Sequence, residues 1–315
     1  MVISKAKKRH LSSNHLLLPP SMKDFASCFS EHALKVSDTS CSASSSGGNS
    51  SVIDNAAPVL AAVTCVYRAR LLTQKELLIR VAWSKRKECH ALSVAVDDIP
   101  WQANAMSSQL LRKKGSRTFI CRNFNVGLHW DISSATYGAG PEPTDGFYVA
   151  VVVNSEFALL LGDLSDDYRR RSEESTLPVA ECSMICRREQ VVGDAPHTTR
   201  ARFHDGEGDH EITVRFRADG WDRVRDSELS VSVDGKRVVQ VRSLRWNFRG
   251  NHTIFIDGSP VDMTWDMHDW WFGGGAAAVF MFRARSTLES RLWLEEEALQ
   301  QPPRFSLLIQ AFRSQ

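Results

Sequence analysis

The stretch Val261-Asp262-Met263-Thr264-Trp265-Asp266-Met267-His268 alternates apolar and polar side chains without a break. Val261, Met263, Trp265 and Met267 share one face. Asp262, Thr264, Asp266 and His268 share the other. Successive side chains of a strand point to opposite faces, so this period of two predicts a half-buried β-strand. The strand is read as running on through Asp269-Trp270-Trp271-Phe272 to the glycines Gly273-Gly274-Gly275. Upstream, Val126-Gly127-Leu128-His129-Trp130-Asp131-Ile132-Ser133 has the same alternation.

The two stretches are part of a longer match. Gly115-Ser116-Arg117-Thr118 and Trp130-Asp131 align with Gly250-Asn251-His252-Thr253 and Trp265-Asp266 at one offset of 135 residues. Tyr137-Gly138-Ala139-Gly140 meets Phe272-Gly273-Gly274-Gly275 at that same offset. Residues 92–97 match 229–234, 76–81 match 211–216, and 68–71 match 200–203, in one order with small drifts. Such drifts are what a duplicated unit with altered loops produces. Trp persists in both copies of the opening strand, and Asp is the one polar residue that does. Asp262 corresponds to Gly127, Thr264 to His129 and His268 to Ser133.

Between these landmarks lie further short strand signals at 64–71, 76–83, 92–96, 118–121, 147–153 and 157–161. Lys85-Arg86-Lys87, Asp97-Asp98, Gly138-Ala139-Gly140-Pro141 and Asn154-Ser155 separate them. Short strands at this spacing predict an antiparallel sandwich or barrel. The expected fold is all-β, built from two homologous halves at 58–163 and 195–285. A charged linker is expected at 164–194, with a short helix that Asp163 would cap. Residues 286–315 are read as a C-terminal helix at 288–299, stopped by Pro302-Pro303, and a buried closing strand that pairs with an early strand. Residues 1–57 read as a disordered tail, because the Ser-rich run at 37–51 offers little apolar surface.

Composition narrows the function. The net charge of +2 is close to neutral and argues against nucleic acid as the main partner. The 7 cysteines are odd in number and irregularly spaced, which reads as free thiols in an intracellular protein of cytoplasm or nucleus. Cys182 and Cys186 would face the same side of a strand, and no second cysteine pair completes a zinc site. No stretch reaches the roughly 18 apolar residues of a membrane span. There is no phosphate loop, nucleophile elbow, kinase set or dinucleotide fingerprint.

The polar face of the opening strand offers Asp266 and His268, and its upstream match offers His129 and Asp131. A carboxylate and an imidazole two residues apart lie about 6.5–7 Å apart along a strand. They are candidates to converge on one ligand. The structural alternative has each Asp accepting backbone N–H groups at the turn that follows. Of Trp270 and Trp271, one is a candidate aromatic rim of a ligand cleft, since two adjacent indoles cannot both point inward on an extended chain; the alternative is core or interface packing. Arg68, Arg70, Arg80, Arg200, Arg202 and Arg215 alternate with apolar neighbours. They pair with Glu76 and Glu211 across strands or form an anion-facing surface. No catalytic set, metal set or cofactor is expected.

Several segments are similar to one family. Gly140-Pro141-Glu142-Pro143 with Gly146-Phe147-Tyr148-Val149-Ala150-Val151, and Leu159-Leu160-Leu161-Gly162-Asp163, resemble the plant proteins grouped as domain of unknown function 868. So do Phe248-Arg249-Gly250-Asn251, Trp265-Asp266-Met267-His268-Asp269-Trp270 and Ala278-Val279-Phe280-Met281-Phe282. The likeness runs from about residue 22 to the C-terminus. It departs from the family mainly in the loop from Gly273 to Ala278 and in Cys65, Cys89 and Cys121. The resemblance implies a plant protein and carries over no activity, cofactor or functional residue. The expected function is a non-enzymatic binding or scaffold module with a protein or small-ligand partner. The alternatives are a sugar or lipid binder with an aromatic-rimmed cleft, and a hydrolase using Asp131, Asp266 and His268.

Overall fold

The computed structural model describes residues 61–313 except 88, 98–105, 111, 122, 173–174, 205, 207, 218–226, 273–276 and 286–304. The expected N-terminal tail, the triple glycine and the helix read at 288–299 lie outside the described residues.

The chain's described strands pair antiparallel, save one parallel strand pair and one isolated parallel bridge between Phe157 and Val179. Its first strands are β1 (Ala61–Arg70), β2 (Glu76–Lys85), β3 (His90–Asp97) and β4 (Met106–Leu110). Next come β5 (Lys114–Cys121), β6 (Phe124–Asp131), the short β7 (Thr136–Tyr137) and β8 (Pro143–Asp145), then β9 (Tyr148–Val153) and β10 (Glu156–Leu161). Helix α1 (Ser165–Arg171) leads to β11 (Glu181–Val192). The second half holds β12 (His197–Ala201), β13 (His210–Arg217), β14 (Glu228–Val233) and β15 (Lys236–Arg242). It ends with β16 (Arg249–Ile256), β17 (Ser259–Asp266), α2 (His268–Phe272), β18 (Ala277–Ala284) and β19 (Ser306–Phe312).

One nine-stranded sheet, ordered β16-β17-β18-β19-β11-β1-β2-β3-β4, runs through both halves. Two four-stranded sheets, β10-β9-β6-β5 and β12-β13-β14-β15, accompany it. Cys65 on β1 pairs with Arg187 on β11, and Arg187 pairs with Leu307 on β19. Register partners share a face, so the apolar sides of both halves lie on the same face of the large sheet. One core joins Leu77, Ile79, Leu92 and Val94 to Val126, Leu128, Val149 and Val151. The other joins Met263, Trp265, Phe280 and Leu307 to Ile212, Val214, Leu229 and Val231. The molecule is two sandwiches on one shared sheet.

The alternation read in the sequence is realised in β6 and β17. Val126, Leu128 and Trp130 are buried, as are Val261, Met263 and Trp265. Each Trp lies over a glycine directly opposite on the neighbouring strand, Gly115 on β5 and Gly250 on β16. A Cβ at Gly115 would come within 2.9 Å of the Trp130 ring, and one at Gly250 within 2.2 Å of the Trp265 ring. The indole N–H of Trp130 donates to the Arg112 carbonyl at 2.8 Å, and that of Trp265 to the Asn247 carbonyl at 2.9 Å. Each bond ties a core indole to the turn before its glycine strand.

Four expectations need correction. The segment read as a linker contains β11, twelve residues long and central in the large sheet. Its pattern is mixed because its middle carries charge into a buried junction. The closing strand β19 pairs with β11 and β18, so β11 stands between it and β1. Asp163 does not cap α1; its carboxylate accepts the Phe147 N–H at 3.1 Å, and no side chain caps that helix. Cys182 and Cys186 do not share a face. The register slips between them, with Met184 opposite Tyr67 and Cys186 opposite Val66, and the extra residue Ile185 reverses the parity.

Candidate functional site

The expected ligand residues are placed by two matching strand ends. Asp131 closes β6, where its carboxylate accepts the Ser133 N–H at 3.0 Å and meets Lys114 Nζ at 2.8 Å. Asp266 closes β17, where it accepts the His268 N–H at 2.8 Å and meets Arg249 Nε at 2.8 Å. Burial works against the charge of Asp131. The Lys114 and Ser133 hydrogen bonds outweigh it and hold the carboxyl below its ordinary value. Both aspartates thus make the turn contacts set out as the structural alternative.

The two imidazoles are not brought to a common point with them. His129 lies on the outer side of β6 with its ring 5.7 Å from Tyr168 of α1. His268 has left the strand. Asp266 bonds the His268 N–H, and the chain coils into α2 instead of extending through Trp271. That coil also changes the reading of the tryptophans, because neighbouring helical residues point about 100° apart. Trp270 turns into the core, edge-on to Phe216 at 5.1 Å. Trp271 is half-buried, with the Arg245 guanidinium 5.9 Å from its ring. His129 and Asp131 belong to the first small sheet, whereas Asp266 ends β17 in the far part of the large one and His268 opens α2. The structure gathers them by pairs, not into one cleft.

A buried polar cluster sits where the sandwiches meet. Glu189 of β11 is 2% exposed. It accepts from Arg187 Nε, from His197 Nε2 and from Thr199 Oγ1, each at 2.5 Å. Arg187 also grips Glu142 with both terminal nitrogens and reaches Cys65 Sγ at 3.5 Å. Burial alone would raise the Glu189 carboxyl. The His197 hydrogen bond and the Arg187 charge prevail and hold it low. Burial pushes the Cys65 thiol up to about 12, so it is no nucleophile near neutrality. This is a satisfied ion cluster that joins β1, β11, β12 and the Glu142 loop. The signal for it was Arg187 and Glu189 two apart in a segment otherwise read as linker.

The third feature is the outer face of β12-β13-β14-β15. Its inward side chains, among them Ile212, Val214, Leu229 and Val231, enter the core. Its outward side chains are Thr198, Arg200, Glu211, Thr213, Arg215, Arg217, Glu228, Ser230, Ser232, Arg237, Gln240 and Arg242. Five of these are arginines and two are glutamates. Glu228 is already engaged by the Gln240 amide at 2.6 Å. Thr213, Arg215, Ser230, Ser232 and Arg237 line a shallow, open cavity of about 330 Å³. Among the described residues neither Arg215 nor Arg237 has an acidic partner, and no carboxylate lines the cavity. Of the arginines singled out in the sequence, Arg200 and Arg215 lie on this face. Arg202 pairs with Asp209 at 2.9 Å, and Arg70 with Glu76 at 3.3 Å. Arg68 and Arg80 lie on the far side of the large sheet. Sequence reading missed Arg237, because the register slip between β14 and β15 is what sets it opposite Ser232.

Among the described residues, no group of three or more His, Cys, Asp or Glu side chains is arranged to hold a metal ion. No helix among them is long and apolar enough to cross a membrane. These features define a β-sandwich protein with one broad sheet, a buried ionic junction and an arginine-rich outer face on its second small sheet. The chain belongs to the family described as plant protein of unknown function, DUF868, whose sequence profile matches residues 59–313. No curated protein and no solved structure matches it.

Proposed function

We propose that this chain is a non-enzymatic binding module that takes an anionic partner on the outer face of β12-β13-β14-β15. The carrying observation is the set of arginines Arg200, Arg215, Arg217, Arg237 and Arg242 on one solvent-facing sheet surface, where Glu211 and Glu228 are the carboxylates among the described residues. Guanidinium groups that outnumber the carboxylates on one face attract anions even when the whole chain is nearly neutral. Asp131, Asp266, Glu189 and Cys65 are engaged in structural bonds, which favours binding over hydrolysis.

Heparin affinity tests this reading. The protein is expected to elute at clearly higher salt than the Arg200→Glu/Arg215→Glu/Arg237→Glu variant, with thermal melting showing that both are folded. Equal elution would sink the proposal.

We also propose that the two sandwiches derive from one duplicated unit. The Trp-to-turn bond, the glycine beneath each Trp and the Asp-to-backbone bond all recur 135 residues on. The strand order β1-β2-β3-β4 then β5-β6-β9-β10 parallels β12-β13-β14-β15 then β16-β17-β18-β19. Superposing residues 114–161 on 249–312 of an experimental structure should lay Trp130 on Trp265, and a mismatch of these rings would remove the idea.

A further inference from the structure

The anion-facing surface has a built centre, and its chemistry selects a ligand class. Thr213 is register partner to Ser232, and Ser232 to Arg237. One row along, Arg215 is partner to Ser230. Ser230 and Ser232 therefore form the floor, with Arg215 on one side and Arg237 on the other. From strand and residue spacing their Cα atoms are roughly 12 Å apart, so two long side chains can close over the serines from opposite edges.

The lining is two guanidinium forks and three hydroxyls. A guanidinium can only donate, and a hydroxyl can donate as well as accept. Nothing in the cavity is an obligate acceptor. A ligand that fits must bring negative charge and several acceptor oxygens within a small volume. A phosphate monoester does this: it is close to doubly charged at neutral pH and carries three acceptor oxygens. In the next row Arg217 and Arg242 stand on either side of Glu228, and at the other end Arg200 stands opposite Glu211. A ligand with several phosphates would use them.

We infer that this cavity is a site for a small soluble molecule carrying two or more phosphate monoesters, one of them held between Arg215 and Arg237 over Ser230 and Ser232. The inference rests on the binding-module reading and narrows it. A membrane surface fits less well. The face is built of Thr, Ser, Arg, Glu and Gln and offers no exposed apolar side chain to enter a lipid layer.

Isothermal titration of the full chain tests it, with inositol hexakisphosphate as the probe and inositol as the uncharged control. The hexakisphosphate should bind, and inositol should not. The Arg215→Gln/Arg237→Gln variant should bind at least about a hundredfold more weakly. The Arg215→Lys/Arg237→Lys variant keeps the charge and should still lose about tenfold, because a lysine has no planar fork. Both sites are on the surface, and unchanged melting is the check on folding. Absence of hexakisphosphate binding overturns the inference. So does a lysine variant that binds like the parent, which would mean a diffuse field. Binding only to vesicles containing phosphatidylinositol 4,5-bisphosphate overturns it as well. If heparin retention depends on the arginines while hexakisphosphate is ignored, the surface stands and the ligand class falls.

Discussion

The two small sheets are built from similar strands and end in different situations. In the first, β9 and β10 read Tyr148-Val149-Ala150-Val151-Val152-Val153 and Glu156-Phe157-Ala158-Leu159-Leu160-Leu161, apolar on both faces. Their outer side is covered. Ala150, Val152 and Phe157 form a separate small core with Tyr148, Tyr168 and Leu177, and Tyr168 of α1 stacks on Tyr148 at 4.3 Å. In the second, β13 reads His210-Glu211-Ile212-Thr213-Val214-Arg215-Phe216-Arg217, and every second residue is polar. Its outer side faces solvent. A sheet buried on both faces needs continuous apolar strands, and a sheet with one wet face alternates. The difference is what singles out the second sandwich for the proposed binding surface. The first has spent its equivalent face on α1.

The largest expected effect lies at the junction the sandwiches share. Replacing Arg187 with Met leaves Glu142 and the buried Glu189 without their counter-ion, a loss of about 3–5 kcal/mol. Urea unfolding measures it, and a loss below about 1 kcal/mol would mean that the junction does not hold the sandwiches together. Next come the two glycines under the tryptophans. Overpacking a core typically costs about 1–3 kcal/mol. Gly250→Ala should fall at the upper end and Gly115→Ala at the lower, because the clash at Gly250 is the tighter one. The reverse order would contradict the comparison of the two strand pairs.

Covered and open faces should also respond differently to truncation. Tyr168→Ala removes the stack on Tyr148 and opens the small outer core, for about 1–2 kcal/mol. Arg215→Ala should change stability by no more than about 0.5 kcal/mol. Similar losses at both positions would mean that the basic face is structural. The smallest effect is a pH dependence confined to the second sandwich. His210 bridges two hairpin tips, with Nδ1 2.7 Å from Asp234 and Nε2 2.9 Å from Asp257. The hydrogen bond to Asp234 is the main cause of its raised pKa, ahead of the opposing burial. A raised pKa contributes stability fully below the ordinary value of 6.5 and loses it as pH climbs through the folded value. Asp234 is held below its ordinary 3.8, mainly by His210, so its share is lost in acid. The difference in urea midpoint between the parent and His210→Gln should shrink as pH rises from about 6 to about 9. A difference that grows would be the wrong sign.

Much of the fold was legible in the chain because alternation is local. The opening strand, its upstream match and the turn at Asn154-Ser155 are carried by neighbouring residues, and that turn holds the positive φ angles of a tight hairpin. The role of β11 was not legible. Its charged middle reads as surface, and only the approach of Glu142, His197 and Thr199 from distant segments makes those charges suitable for burial. Helix α2 was missed because a single Asp-to-backbone bond redirects a strand pattern that continues through Met267. Arg200 and Arg215 were flagged individually. Arg237 and the serine floor were not, since the site exists only through pairing across three strands and a register slip.

The central claim is that the open face, centred on Arg215 and Arg237, is where this protein meets its anionic ligand. The most direct measurement follows the arginine Nε–Hε resonances by NMR during addition of inositol hexakisphosphate, with assignments from single Arg→Lys variants. Arg215 and Arg237 should move most, Arg200, Arg217 and Arg242 less, and Arg68 and Arg80 on the far side of the large sheet not at all. Shifts centred on Arg68 and Arg80, or no shift on the β12-β13-β14-β15 face, would contradict the account.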